Sequence, residues 1–109
     1  MDNRDFDRIE FKIPNASTNS ESLAIGGMAF GALETPAAMT GATLAIEGRQ
    51  GDADTWLPIL DSSGTAQEIT FAASSIIRVP DVVFACEHIR FVSASSEASE
   101  RTLFLHVKS

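Results

Sequence analysis

Histidine and cysteine, the side chains most often used as a catalytic base or an activated nucleophile, are scarce in this sequence. It contains two histidines, His88 and His106, and a single cysteine, Cys86. Both histidines fall in runs that alternate apolar and polar residues, and neither belongs to a G-x-S-x-G, H-E-x-x-H or Gly-rich phosphate-loop motif. One cysteine alone forms neither an intramolecular disulfide nor a metal site, and beside Phe84 it is typical of a small buried residue. We therefore expect no enzyme activity and no cofactor.

An acidic loop offers the one arrangement of oxygen ligands that resembles a metal site. Asp52 and Asp54 follow Gly51 in a turn-like segment, and loops rich in carboxylates can hold calcium. The EF-hand pattern requires Glu at the twelfth position of the loop, and counting from Asp52 this position is Ser63. The sequence therefore predicts a solvated turn and no metal site.

The same loop leads into Trp56, the only tryptophan of the chain. Sugar-binding sandwiches stack a loop aromatic on the sugar ring and use nearby carboxylates as hydrogen-bond acceptors. Trp56, Asp52 and Asp54 therefore define an alternative function, that of a carbohydrate-binding module. A tryptophan that opens a strand more commonly packs over the edge of a core, and sugar sites usually present more than one aromatic ring.

The charge balance argues against polyanionic partners. Eight Lys and Arg residues stand against fifteen Asp and Glu, a formal net charge of −7. Nucleic acids and anionic membranes both attract Lys and Arg, so direct contact with DNA, RNA or a membrane is not expected. The opening MDNRDFDRIEFK lacks the apolar core of a secretion signal, and no apolar stretch reaches the length of a membrane span. We expect a protein made and kept in the cytoplasm unless an assembly carries it elsewhere.

The sequence predicts that the secondary-structure elements that position these residues are β-strands. Apolar runs separated by turn residues recur roughly every eight to twelve positions, as in antiparallel sandwiches and barrels. In the first run, Ile9, Phe11 and Ile13 alternate with charged residues and are predicted to face the core. Residues 23–33 predict one strand with a bulge at its two glycines, and Pro58 predicts a strand that either lies at a sheet edge or is bent.

The chain has 109 residues and a mass of 11.6 kDa, which leaves room for one domain. The predicted architecture is all-β, a single antiparallel β-sandwich of about eight short strands. We expect the sandwich to span residues 9–109 and to follow a flexible N-terminal arm, residues 1–8.

The last two runs, residues 88–93 and 102–108, flank a polar loop and predict a terminal hairpin. Opposed residues of an antiparallel pair share a face. The predicted inward set is Ile89, Phe91, Leu103, Leu105 and Val107. Val92 and Phe104 then lie together on the outer face, where either a loop or the arm covers them or another chain binds them. Phe6, the aromatic residue of the arm, joins them as a candidate interface residue.

A longer series of turn and strand motifs extends over residues 34–107. It reads PAAMTGA at 36–42, LAIEG at 44–48, GDADTWLPI at 51–59, DSSG at 61–64, IRFVS at 89–93 and RTLFL at 101–105. This order resembles small proteins encoded in the structural gene clusters of tailed bacteriophages. The residues Glu-Gly-Arg-Gln at 47–50 depart from the Ser-containing strand end that is more usual there.

The resemblance implies a jelly-roll-like virion component. It implies a capsid decoration or cement protein that binds the major capsid protein from outside and stabilises the head, with a head-spike or tail accessory protein as the alternative. It further implies a homo-oligomer, of which a trimer is one form. The expected location is the capsid surface, after synthesis in the host cytoplasm.

Overall fold

The computed structural model describes residues 6–51 and 55–109, and this part of the chain is all-β. In chain order the strands are β1 Phe6–Ile13, β2 Leu23–Ala24, β3 Phe30–Glu34, β4 Thr43–Arg49, β5 Leu57–Pro58, β6 Glu68–Thr70, β7 Ile76–Arg78, β8 His88–Ser93 and β9 Arg101–Lys108. A 3-10 helix, Asp81–Ala85, joins β7 to β8. The predicted all-β fold is confirmed.

The strands form two antiparallel sheets that pack face to face. The four-stranded sheet has the order β1-β9-β3-β7, and the five-stranded sheet has the order β2-β8-β4-β5, with β6 also paired to β4. The predicted antiparallel sandwich is therefore confirmed. β5 ends its sheet, as expected for a strand that contains Pro58, because proline has no N–H to donate to a second neighbour.

The core lies between the sheets and takes every second residue of the long strands. β4, β8 and β9 each alternate buried and half-buried residues. Phe11 of β1 stacks on Phe91 of β8 with ring centroids 5.3 Å apart, and the two side chains are at most 1% exposed. This pair joins the two sheets directly, because β1 and β8 belong to different sheets.

The predicted terminal hairpin is wrong. β8 pairs with β2 and β4 in the five-stranded sheet, whereas β9 pairs with β1 and β3 in the four-stranded sheet. Residues 94–100 therefore cross from one sheet to the other. The inward set was nevertheless correct, since Ile89, Phe91, Leu103, Leu105 and Val107 are all buried. Alternation fixes which side of a strand faces the core, but not which strand it pairs with.

The edge strand β1 begins at Phe6, so three residues assigned to the arm, 6–8, pair with β9. Residues 1–5 lie outside the described part. Asp7 Oδ1 accepts a hydrogen bond from the Arg8 backbone N at 2.8 Å, and Glu21 Oε1 accepts one from the Lys12 backbone N at 2.8 Å. These carboxylates already accept hydrogen bonds from backbone N–H groups that would otherwise be free to pair with an added strand. Docking by strand addition at this edge is thereby disfavoured.

Candidate functional site on the outer faces of the sheets

The outer face of the four-stranded sheet, which we call the basic face, is the best-defined candidate. One row across it contains Arg8, His106, Ala32 and Arg78, and the next contains Glu10, Phe104, Glu34 and Ile76. Four of the eight Lys and Arg residues of the chain lie on it: Arg8, Lys12, Arg78 and Lys108. Glu10 and Glu34 lie on the same side of these strands. Ion pairs join Lys12 to Glu10 and Glu100, Arg8 to Glu34, and Arg78 to Asp81, so much of this positive charge is balanced within the face.

Phe104 lies in the middle of the basic face, beneath the guanidinium group of Arg8. The Arg8 Cζ is 3.6 Å from the ring centroid, within cation–π range. The same guanidinium lies 3.4 Å from Glu34 Oε1, which in turn is 2.7 Å from His106 Nε2. The hydrogen bond with His106 lowers the pKa of the Glu34 carboxyl; desolvation opposes this shift and the Arg8 charge reinforces it. Phe104 is thus half-buried under a polar network, not an open anchor.

An apolar depression of about 320 Å³ opens beyond this network. It is lined by Phe30, Gly31, Ala32, Arg78, His106, Val107 and Lys108. Phe30 is 47% exposed, and its ring centroid is 5.4 Å from Lys108 Nζ. Three of the lining residues carry or can acquire a positive charge, while the remainder are apolar. This arrangement favours the binding of a partner's apolar side chain that is flanked by carboxylates.

The sequence prediction missed the depression because residues 23–33 were expected to form one bulged strand. The chain instead turns at Gly26 and Gly27, the latter with φ 90°, a left-handed conformation that favours glycine. β2 and β3 then enter different sheets. Leu33 is buried, so Phe30, which has the opposite parity in the same strand, faces outward.

Val92 lies on the other side of the molecule from the basic face. It is half-buried on β8, opposite Ala45 of β4, and forms a β-bridge with Asn19. The prediction that it shares a face with Phe104 is wrong, because β8 and β9 belong to different sheets. The backbone of Phe6 pairs with Lys108 on β9. The structure thus places Phe6 and Phe104 in one sheet and leaves Val92 in the other.

Trp56 contacts two arginines of the five-stranded sheet. The Cζ atoms of Arg49 and Arg90 are 4.7 and 4.8 Å from its ring. Arg90 is itself held by Glu47, with Nη2 and Oε1 2.6 Å apart. A ring already engaged by two guanidinium groups is less available to stack on a sugar. The other residues of the predicted sugar site, at positions 52 and 54, lie outside the described part of the chain.

Replacing Trp56 with alanine tests these two roles. We expect Trp56→Ala to lower the free energy of unfolding by about 1–2 kcal/mol in urea titrations, because the cation–π contacts and half-buried ring surface are lost. Leu57→Ala, at a side chain 62% exposed, is the matched control and should change stability by less than about 0.5 kcal/mol.

A glycan array tests sugar binding, and we expect neither wild type nor Trp56→Ala to bind. A sugar signal from the wild type that the Trp56 variant loses would contradict this and establish the carbohydrate-binding alternative.

The hairpin that joins β5 to β6, residues 57–70, is the second exposed apolar feature, and we call it the acidic hairpin. Leu57 is 62% exposed and Leu60 is 45% exposed. Hydrogen bonds from the Ser63 hydroxyl, and then from the Thr65 backbone N–H, lower the pKa of the neighbouring Asp61 carboxyl. Glu68 is exposed on β6. Residues 50–77 contain no Lys, Arg or His, so this part of the chain is acidic without compensation.

A buried carboxylate holds the crossing between the sheets. The Glu97 side chain is 0% exposed and 2.9 Å from the guanidinium Nε of Arg101. It also accepts hydrogen bonds from the backbone N of Thr40 at 2.8 Å, the backbone N of Gly41 at 3.0 Å and the hydroxyl of Ser93 at 2.7 Å. Burial alone would raise the pKa of Glu97, but these donors outweigh it and lower the pKa from 4.5 to about 2. From the sequence alone, Glu97 is predicted only as part of a polar loop.

The remaining chemistry-bearing residues do not come together. Burial raises the pKa of the Cys86 thiol, which makes it less nucleophilic at neutral pH. His88 lies in the five-stranded sheet, and His106 lies in the four-stranded sheet. Among residues 6–51 and 55–109, no group of three or more His, Cys, Asp or Glu side chains could hold a metal ion. Within the same residues, no helix has the length and apolar character needed to cross a bilayer.

Comparisons of this chain with protein-family models, curated proteins and solved structures found no match.

Proposed function

We propose that this protein is a non-enzymatic structural protein of a tailed-bacteriophage virion, and specifically a capsid decoration or cement protein. It binds the major capsid protein from outside the shell, associates with its own copies and stabilises the head. The observation that carries the proposal is the display of large exposed apolar side chains on the outer surface of a closed sandwich: Phe30, Leu57, Leu60, Ile76 and Val82. Such side chains are typical of surfaces that bind other proteins.

The order of the strands supports the jelly-roll part of this proposal. Each sheet interleaves strands from the two ends of the chain, with β9 between β1 and β3, and β8 between β2 and β4. Two Greek keys rolled together produce this interleaving, and jelly rolls of this kind are common in viral capsid proteins. The sequence motifs over residues 34–107 point in the same direction.

The charge of the chain also suits a protein displayed in many copies. A net charge of −7 keeps particles that carry it apart by repulsion. Contacts repeated over the shell lattice supply avidity, so each contact can be individually weak. We therefore place the protein on the capsid surface, after synthesis in the host cytoplasm.

A sedimentation assay tests shell binding. The purified chain is mixed with empty shells built from the major capsid protein of the phage that encodes it, and the mixture is pelleted. We expect the chain to pellet with the shells and to saturate at a fixed ratio to the capsid subunit, because the lattice offers a fixed number of equivalent sites. An excess of unlabelled chain, the control, should displace labelled chain from the pellet.

The same assay with purified tails in place of shells shows which part of the virion the chain binds. Binding to tails but not to shells would contradict the decoration role and favour a tail accessory protein. Retention in the supernatant with both shells and tails would contradict a virion role altogether.

A further inference from the structure

We infer that copies of this chain associate head to tail, with the acidic hairpin of one copy seated in the apolar depression of the basic face of the next. The inference deepens the self-association that belongs to the proposed function. It concerns contacts between copies in solution, so it can be tested without shells.

The acidic hairpin provides the projecting partner of this contact. Leu57 and Leu60 are 62% and 45% exposed, and they lie at the edge of the five-stranded sheet where β5 has no further neighbour among the described strands. Asp61 and Glu68 flank them on the same hairpin. The hydrogen bonds from Ser63 and Thr65 keep Asp61 ionised by lowering its pKa. The hairpin thus presents leucine side chains between fixed negative charges.

The depression on the basic face provides the receiving partner. Its apolar lining includes Phe30, Ala32 and Val107, and its volume of about 320 Å³ admits a leucine side chain. Arg78 and His106 stand at its rim. The ion pair of Arg78 with Asp81, at 3.2 Å, is exposed on both sides and therefore weak, so the guanidinium can turn to a carboxylate of another copy.

The distribution of charge along the chain selects a second copy as the occupant. The lining of the depression contains Arg78, His106 and Lys108 and no Asp or Glu, whereas residues 50–77, which contain the hairpin, have four Asp and Glu and no basic residue. Two acidic hairpins repel each other, while the lining of the depression attracts an acidic hairpin. A symmetric contact of hairpin with hairpin is thereby disfavoured.

An association between two different surfaces has a structural consequence. Each copy uses its hairpin toward one neighbour and its basic face toward the other, so the contacts either close into a ring or continue as an open chain. A closed ring of three copies is one form that such contacts can take.

The test uses two variants that each disable one side of the contact. Ala32→Glu fills the depression and reverses its charge, and Leu60→Lys removes an exposed leucine and reverses the charge of the hairpin. Ala32 lies on the outer side of β3 and Leu60 is exposed in the hairpin, so folding should be retained and is checked by circular dichroism. If Ala32→Glu fails to fold, Arg78→Glu replaces it. Ala72→Glu, the same change as Ala32→Glu at an exposed alanine outside both the depression and the acidic hairpin, is the matched control.

Sedimentation velocity over a range of concentrations provides the readout. We expect wild type and Ala72→Glu to associate as concentration rises, and less so in high salt because the charges are screened. Each of the two disabling variants should self-associate at least about tenfold more weakly, as expected when a central interface residue is lost. An equimolar mixture of the two should form a complex that stops at two chains, because one working hairpin and one working depression remain.

Two classes of result would overturn the inference. Wild type that sediments as an 11.6 kDa monomer at all concentrations would exclude the contact. Variants that associate as strongly as wild type, or a mixture that remains monomeric, would show that the contact uses other surfaces, such as residues 1–5 or a symmetric interface.

Discussion

Glu97→Ala is expected to lower the free energy of unfolding by about 3–5 kcal/mol, the usual cost of breaking a buried charged pair. The carboxylate is fully buried and accepts hydrogen bonds from Thr40, Gly41, Ser93 and Arg101. Removing it leaves two backbone N–H groups and a guanidinium without their acceptor in a dry site. Urea unfolding measured by circular dichroism gives the change directly.

Glu100→Ala is the matched control. Glu100 lies in the same crossing segment, but its side chain is 58% exposed and pairs with Lys12 at 3.8 Å. We expect a change below about 0.5 kcal/mol for this exposed pair. Equal effects of the two substitutions would show that the Glu97 contacts do not hold the crossing.

The pH dependence of stability gives a second measurement on Glu97. Its folded pKa of about 2 lies below the ordinary value of 4.5, so its contribution is present above pH 4.5 and is lost as pH falls toward 2. A shift of this size corresponds to stability on the order of 3 kcal/mol. The lowered pKa values of Glu34 and Asp61 act in the same direction. The Glu97→Gln variant should therefore lose less stability than wild type between pH 5 and 2. If the free energy of unfolding falls with pH equally steeply in the two proteins, this account of Glu97 is contradicted.

Phe11→Ala and Phe91→Ala are each expected to lower the free energy of unfolding by about 3–5 kcal/mol, as for other buried Phe residues. The two rings stack at 5.3 Å and join β1 of one sheet to β8 of the other. A double-mutant cycle should give a coupling of about 0.5–1.5 kcal/mol for the aromatic pair. The measurement is again urea unfolding, with the double variant studied under stabilising conditions.

Phe30→Ala is the matched aromatic control for these core substitutions. Phe30 is 47% exposed on the basic face, so its loss should cost less than about 1 kcal/mol. If Phe11→Ala costs no more than Phe30→Ala, then the two sheets do not share the interior described above.

Much of the fold could be predicted from local sequence patterns, for physical reasons. Alternation in residues 9–13 and, apart from Phe104, in residues 101–108 marks one side of each strand as apolar, and burial of that side is the main gain on folding. The inward residues of β8 and β9 were therefore correct even though these strands do not pair. An edge position was one of the two alternatives that Pro58 predicted, because its missing N–H is a property of the residue alone.

The long-range arrangement could not be predicted in the same way. Glu97 has the composition of a loop residue, and its burial depends on donors from Thr40, Gly41 and Ser93 that are remote from it or on another element. The alternation of apolar and polar residues gives no sign of a buried carboxylate at this position. Likewise, the basic face arises because Arg8, Arg78 and Lys108 come from three strands that only the sheet order brings together. The absence of basic residues between positions 50 and 77 was the available signal of a charge asymmetry.

Electron cryomicroscopy of purified virions, with mass spectrometry of the same particles, tests the proposed role most directly. The account predicts that the chain is present at a fixed ratio to the major capsid protein. It also predicts that density for the sandwich stands on the outer surface of the head, with neighbouring copies in contact through unlike surfaces. Absence of the chain from purified particles would contradict the account.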